Sequence, residues 1–422
     1  MESTATDWPV QTAAEAATRG GHGTRLRVLF LSRWFPCPPV NGSKIRIFNL
    51  LRTLCEYHSV VLLSFRGAGD PAPDPRGCGI NIDGFHTFVF PEFRPWSAKG
   101  LLGFLSPAPR SFFASYSSEM AACIRELVRR DHFDLVIASQ IQMAAYHGSF
   151  RGLPALLEEV ESGLLLGRCS REISLGVKAR REMTRRKHAR FLRSVLCRFA
   201  QCTVVSESER NLLREAVPAF PAVDIVPNAI NLGDYPRHES EPRPNTLVFA
   251  GSFRYHPNYE AMMWFLNDVF PHIRRQIPDV QLTILGDHGG LLLPSHQGVF
   301  QAGHVKDVRP VIGSSTASVV PILSGGGTRL KILESIALGT PVVATSKGAE
   351  GLDLEPERHI LIADTPVTFA AAVVRLLSRP EERRRLAEAA MRQLRAKYDW
   401  EVVKYRFLSL VESAASASRV DQ

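Results

Sequence analysis

The sequence predicts an α/β chain built as two doubly wound domains in tandem. Three observations predict it. Short apolar runs that fit buried parallel strands alternate with helical patterns along most of the chain. Several of those strands run into glycine-containing loops that open helices, the arrangement of doubly wound sheets. The alternation is interrupted by the polar, proline-rich stretch 231–245 and then begins again, which marks a domain boundary.

The first unit, 24–230, opens with a strand over 27–31. A proline-rich loop containing Asn41, Gly42 and Ser43 follows. A helix over 45–54 carries Ile47, Leu50, Leu51 and Leu54 at helical spacing, and 58–65 reads as the next strand. An irregular stretch, 66–110, surrounds a strand at 87–90. Then come a helix over 118–130, strands at 134–138 and 153–157, and a basic helical region over roughly 161–199. A strand at 202–205 leads to Ser206, placed to cap a helix from Glu207, and 224–226 is a last short strand.

The second unit, 246–398, repeats the plan. Strands are expected at 246–250, 280–285, 299–302, 317–320, 341–344 and 359–362. Helices are expected over about 258–276, from the glycine run at 324–328 to Leu338, and over 366–379 and 381–397. A helix over 399–415 begins the C-terminal piece 399–422, for which a return to the first unit is one option. Residues 1–23 lack apolar periodicity and read as a disordered tail.

Composition narrows the class. Hydrophobic residues make up 45% and charged residues 22%, a globular balance. The start lacks the basic-then-apolar pattern of a secretory signal. No window approaches the roughly 18 apolar residues of a membrane span. The seven cysteines are odd in number, scattered and without a CxxC pair. That argues against a disulfide framework and a zinc site and fits a reducing cytoplasm. Net charge is +9, with a local excess: 168–198 holds eleven Lys or Arg against Glu172 and Glu182. A solvated basic helix accounts for it; so does a surface for anionic lipid headgroups or an anionic acceptor. Nucleic acid is not expected, because no interleaved aromatics or known binding motif accompany the charge.

The densest chemistry lies in 321–345 (PILSGGGTRLKILESIALGTPVVAT). A strand ends at Gly325, Gly326 and Gly327, and a helix follows after Thr328. Glycines let backbone approach a ligand, and a helix start offers free N–H groups and partial positive charge to a diphosphate. Arg329 and Lys331 fall near that helix start, where cations oppose the helix dipole and make better sense facing phosphate. Glu334, one helical step beyond Lys331, can accept from two ribose hydroxyls while Lys331 meets the phosphates. A tight turn with an ordinary Lys–Glu pair accounts for each residue singly; the whole set points to a nucleotide.

With these motifs the chain resembles the retaining, nucleotide-sugar-dependent glycosyltransferases of the GT-B fold, family four, which include sucrose synthases and bacterial phosphatidylinositol mannosyltransferases. The resemblance is densest over 247–352: FAGSFRYHPN (249–258), PDVQLTILG (278–286), VKDVRP (305–310), SGGGTRLKILESIALGTPVVAT (324–345) and GAEGL (348–352). In the first unit it rests on PPVNGSKIR (38–46), TVVSESE (203–209) and VPNAINL (226–232). More narrowly it resembles a bacterial branch linked to exopolysaccharide or exosortase gene sets.

The resemblance implies a UDP- or GDP-sugar as co-substrate, no catalytic metal, and a lipid-linked or saccharide acceptor. It implies donor binding to the second domain and acceptor binding to the first, across a central cleft. Glu334 matches the second of two glutamates eight positions apart and would bind ribose; the first position holds Gly326. Arg254 matches the arginine that neutralises the diphosphate, and the lysine a few residues later is replaced by the stretch YHPN, leaving Lys331 or Arg329 to substitute. Arg254 and Lys331 are therefore the candidate catalytic cations. Gly42 would admit backbone approach to the same phosphates, or simply start a helix. Arg46 could face the cleft, with surface charge the favoured reading. Glu158, Glu159 and Glu161 could line an acceptor site, with a solvated acidic loop favoured. His256 and His304 follow strand ends, and Glu350 in its cleft-side loop could touch donor. The expected location is cytoplasmic, with 168–198 as the means of peripheral docking at the inner face of a membrane. An epimerase of the same fold and a non-catalytic nucleotide or sugar binder remain as alternatives.

Overall fold

β1 (Arg27–Ser32) is buried along nearly its whole length, and its side chains divide between two cores. Leu29 and Leu31 enter one core and Val28 and Phe30 the other, as successive residues of a strand covered on both faces must. The computed structural model describes residues 24–67, 69–70, 73–160, 175–220, 222–236, 241–326 and 329–417. The expected tail, 1–23, lies outside them, as does 168–174 of the basic segment.

In the first domain β1 is followed by α1 (Gly42–Tyr57), β2 (Ser59–Arg66) and β3 (Gly84–Val89). Next come α2 (Ala98–Leu102), α3 (Arg110–Ala114), α4 (Ser118–Arg130), β4 (Leu135–Ser139) and β5 (Ala155–Glu158). α5 (Leu175–Leu196), β6 (Gln201–Val204), α6 (Glu207–Ala216) and β7 (Val223–Ile225) complete it. The strands are parallel, in the order β3-β2-β1-β4-β5-β6-β7. The order reverses between β1 and β4, so the crevice lies at the carboxyl ends of those two strands.

The second domain holds β8 (Arg243–Ala250), α7 (His256–Trp264), α8 (Phe270–Gln276), β9 (Gln281–Leu285) and β10 (Val299–Gly303). It continues with α9 (Arg309–Gly313), β11 (Ser315–Val320), α10 (Leu330–Ala337), β12 (Val342–Ala344), β13 (Leu361–Ile362), α11 (Pro366–Ser378) and α12 (Pro380–Lys397). This sheet is also parallel, ordered β10-β9-β8-β11-β12-β13, with its switch point between β8 and β11. β8 begins at Arg243, inside the stretch read as linker, because Arg243 already pairs with Ser315. The helix expected over 258–276 starts at His256 and passes through a π turn at Phe265–Val269. Pro271, in the first turn of α8, has no N–H for the preceding turn, and the π turn accommodates the lost bond.

α13 (Trp400–Ser416) packs on the first domain: Trp400, Val403, Phe407 and Val411 join the core that contains Val28 and Phe30. Its Trp400 Nε1 donates to Thr53 Oγ1 at 2.8 Å. The two chain crossings between domains lie side by side. Ile230 N–H donates to Tyr398 O at 3.1 Å, and Trp400 N–H donates to Ile230 O at 2.8 Å.

Candidate active site

The loop after β11 is shaped by close packing. Gly325 has φ 92°, which favours glycine, and a Cβ there would fall 2.2 Å from Tyr255 Oη, so that side chain would have to shift. Arg329 occupies the N-cap position of α10 and is 8% exposed. Its Nη1 donates to Gly326 O at 2.5 Å and its Nη2 to Ser324 O at 3.3 Å. Two of its nitrogens thus hold the glycine loop in place. Its Nε is buried without a hydrogen-bond partner among the described residues. Gly327 and Thr328 lie outside the described residues.

Lys331 projects from the first turn of α10 toward the end of β8. Its Nζ donates to Asn258 Oδ1 at 2.9 Å and lies 4.3 Å from the centre of the Phe249 ring. Asn258 is held in turn by donating from Nδ2 to Ser252 O at 2.7 Å. A Cβ on Gly251 would meet Lys331 Nζ at 2.7 Å and Asn258 Nδ2 at 2.8 Å. The ammonium therefore sits over the β8 terminus because residue 251 has no side chain. Burial, aided by the Arg329 guanidinium, pushes the Lys331 amine down to about 7, with Glu334 opposing.

Glu334 lies on the next turn of α10. Its Oε1 accepts from Tyr235 Oη at 3.0 Å. Burial raises the Glu334 carboxyl, while the Tyr235 hydroxyl and Lys331 hold it down. Burial and the adjacent carboxylate push the Tyr235 phenol up. Tyr235 belongs to the stretch read as a bare linker, and sequence reasoning missed it. Its neighbour Asp234 offers its carbonyl to Arg309 Nη1 at 2.5 Å.

Arg254 lies in the loop after β8 and is largely exposed. It is ion-paired with Asp287, beyond β9, which also accepts from Gly289 N–H at 2.9 Å. The Arg254 guanidinium, with the Gly289 N–H, holds the Asp287 carboxyl below its usual range. Asp287 and Asn258, both missed from sequence, thus occupy the two candidate cations. Glu350 is ion-paired with Lys347 on the loop after β12. That loop packs on the end of β11: a Cβ on Gly348 would lie 2.5 Å from Val320 O. His256 is exposed and pairs with Glu260 at 3.3 Å.

Across the cleft, Asn41 Oδ1 accepts from Lys44 N–H at 3.0 Å and caps α1. A Cβ on Gly42 would lie 3.2 Å from Leu330 Cδ1, the first residue of α10. Two helix N-termini from two domains therefore meet at the glycine loop, an arrangement suited to an anion.

Two acidic and basic expectations in the first domain are corrected. Arg46 is neither surface charge nor a cleft ligand; it is 2% exposed. Its Nε donates to Glu158 Oε1 at 2.7 Å and its Nη2 to Val226 O at 2.9 Å. Glu158 is fully buried and Glu159 nearly so, so they are not a solvated loop. The Glu158 carboxylate takes its second oxygen's bond from Ser139 Oγ at 2.7 Å. Glu161 lies outside the described residues.

Both sheets present the carboxyl ends of their switch-point strands to this junction, which is the GT-B architecture. Residues 244–379 match the family described as Glycosyl transferases group 1. The chain is 30% identical over 226 residues to the phosphatidyl-myo-inositol mannosyltransferase of Mycobacterium leprae, covering 50% of this chain and 59% of that protein. It thus spans little more than half the length of that curated relative. Sucrose-phosphate synthase from Thermosynechococcus elongatus superposes with TM-score 0.70 at 17% identity, over 93% of this chain and all of that one. Anabaena HepE in complex with UDP-glucose gives TM-score 0.65 at 12% identity, over 92% of this chain and all of that one. At these identities the two structures speak for the fold. Among the described residues no group of His, Cys, Asp or Glu could hold a metal ion, and no helix is long and apolar enough to cross a membrane.

Proposed function

We propose that the chain is a glycosyltransferase that moves a sugar from a nucleotide-sugar donor to a lipid-linked or saccharide acceptor, with retention, in cell-surface or exopolysaccharide synthesis. The observation that carries this reading is the α10 start, where Lys331 and Glu334 share one helix face and Gly42 closes on Leu330 from the other domain. The diphosphate lies on the two helix N-termini, with Lys331 and Arg254 as counter-charges and Gly325, Gly326 and Arg329 at its loop. Glu334 accepts from the ribose hydroxyls, displacing or sharing the Tyr235 hydroxyl. Glu350 flanks the same loop. In the transfer the anomeric carbon–phosphate oxygen bond breaks as the acceptor oxygen bonds the same carbon. The acceptor proton passes to the departing diphosphate, whose charge the cations and helix termini stabilise. The UDP-bound neighbour supports a uridine donor; GDP stays in the test.

The same reading places the protein in the cytoplasm, docked at the inner membrane face through its basic segment. Within that segment α5 exposes Lys178, Arg180, Arg186 and Arg190. A relative named as a phosphatidylinositol-type mannosyltransferase supports a lipid-linked acceptor. Gly326, where the resembled pattern has a glutamate, favours one second reading: a nucleotide binder without transfer activity.

The test is calorimetric titration of UDP, GDP and ADP into the parent chain and Glu334→Ala, followed by product analysis with donor and acceptor. One nucleotide should bind the parent at least about tenfold more tightly than the variant, about 1.4 kcal/mol. Equal binding sinks the site. Binding without any product selects the binder reading.

A further inference from the structure

The segment 93–113 carries exposed apolar side chains that the core does not need. Trp96 is 88% exposed and Leu105 85%, with Leu102 at 57% and Phe104 at 46% beside them. Exposed apolar side chains this close in sequence point to a contact surface. Hydrogen bonds and ring contacts tie the segment together and to α5. Arg110 Nε donates to Gly100 O at 2.9 Å and Nη2 to Pro95 O at 2.7 Å, and its guanidinium lies 3.6 Å from the Phe104 ring centre. Lys187 of α5 donates to Gly103 O at 3.1 Å and Phe104 O at 2.8 Å. Phe112 packs edge-on against Phe191 of α5 at 5.4 Å. The segment carrying the apolar tips is therefore packed directly on the basic helix.

Its charge is mainly basic. Residues 93–113 contain Arg94, Lys99 and Arg110 and no acid. On α5, Met183, Arg186 and Arg190 are exposed at spacings of three and four, so they share a face. The acid of that helix, Glu182, is already paired with Arg185 and Arg186. An apolar tip bearing an exposed tryptophan, framed by cations, matches an interface with hydrocarbon below and phosphate headgroups around it.

We infer that 93–113 is an insertion element that sinks Trp96 and Leu105 into an anionic lipid bilayer while α5 meets the headgroups. The inference rests on the proposed docking through the basic segment and adds the part that enters the membrane. It also orients the enzyme, because the element belongs to the proposed acceptor-side domain.

The experiment uses the full chain, vesicles of phosphatidylcholine alone, and vesicles of phosphatidylcholine with phosphatidylglycerol. Cosedimentation is measured for the parent, Trp96→Ser/Leu105→Ser and Arg186→Gln/Arg190→Gln, with UDP titration as the check on folding. The parent should sediment with the phosphatidylglycerol vesicles, and the serine variant should lose at least about tenfold in partitioning with UDP affinity unchanged. Tryptophan emission of the parent should shift blue on those vesicles and be quenched by brominated lipid, and Trp96→Phe should abolish both changes. Serine-variant binding equal to the parent overturns insertion; if the glutamine variant then binds weakly, charge docking alone stands. Loss in the serine variant with none in the glutamine variant supports insertion and overturns charge docking. A parent dimer that the serine variant disperses on gel filtration overturns the inference, since the patch would then bind a second copy.

Discussion

Lys331 Nζ donates to Asn258 Oδ1 at 2.9 Å, and the pair closes over the bare α-carbon of Gly251. A lysine of the candidate site is thereby fixed by a residue on α7 and by the lack of a side chain at the end of β8. Gly251→Ala would place a methyl 2.7 Å from Nζ and 2.8 Å from Asn258 Nδ2, so these side chains must shift from their present positions. Nucleotide diphosphate affinity should fall at least about tenfold, measured by calorimetry. Unchanged affinity would mean that Lys331 is not a phosphate ligand.

Tyr235 tests the ribose end. Its hydroxyl donates to Glu334 Oε1 at 3.0 Å, the bond a ribose hydroxyl would replace in the proposed donor site. Tyr235→Phe should therefore keep nucleotide affinity within about threefold of the parent, a difference under roughly 0.7 kcal/mol. Glu334→Ala should lose far more. If the two variants weaken binding equally in the same titration, Tyr235 is itself part of the ligand site.

The glycine loop, Lys331 and Glu334 were legible because they are contiguous in sequence and share one strand-to-helix unit. Their partners were not. Asn258 stands 73 positions from Lys331 and Tyr235 stands 99 from Glu334, and neither carries a local signal of that pairing. Arg254 was named as the match to the resembled family's arginine, but its engagement by Asp287 depends on β8 and β9 lying side by side. The strands were readable from apolar runs, while the π turn in the α7–α8 helix follows from Pro271 and from packing.

Arg46 and Glu158 show the same limit most sharply, being 112 positions apart and buried together. Beside Glu158 and Glu159, the Arg46 guanidinium is held above its usual range despite burial. Arg46→Ala would strand the Glu158 carboxylate in the core. Breaking such a pair costs about 3–5 kcal/mol, which urea unfolding should register as a lower midpoint with a similar slope. A change under about 1 kcal/mol would mean that water enters and resolvates Glu158.

The last prediction concerns pH. Burial pushes the Lys331 amine down to about 7 in the folded chain, against an ordinary value of 10.5. Between those values the unfolded chain holds a proton that the folded chain lacks, so this group makes stability rise with pH across that window. Below about 7 both states are protonated and the full cost of burying the ammonium is present. Above 10.5 the cost is gone. A bound diphosphate reverses the balance, because two negative phosphates beside Nζ favour the charged amine. Nucleotide binding near pH 8 should therefore take up a proton, and affinity should weaken as pH rises above about 7. Titrations in two buffers of different ionisation enthalpy measure the uptake directly. Lys331→Met should abolish it. Equal heats in both buffers would show that Lys331 keeps its protonation state on binding and that its charge is not the one the diphosphate recruits.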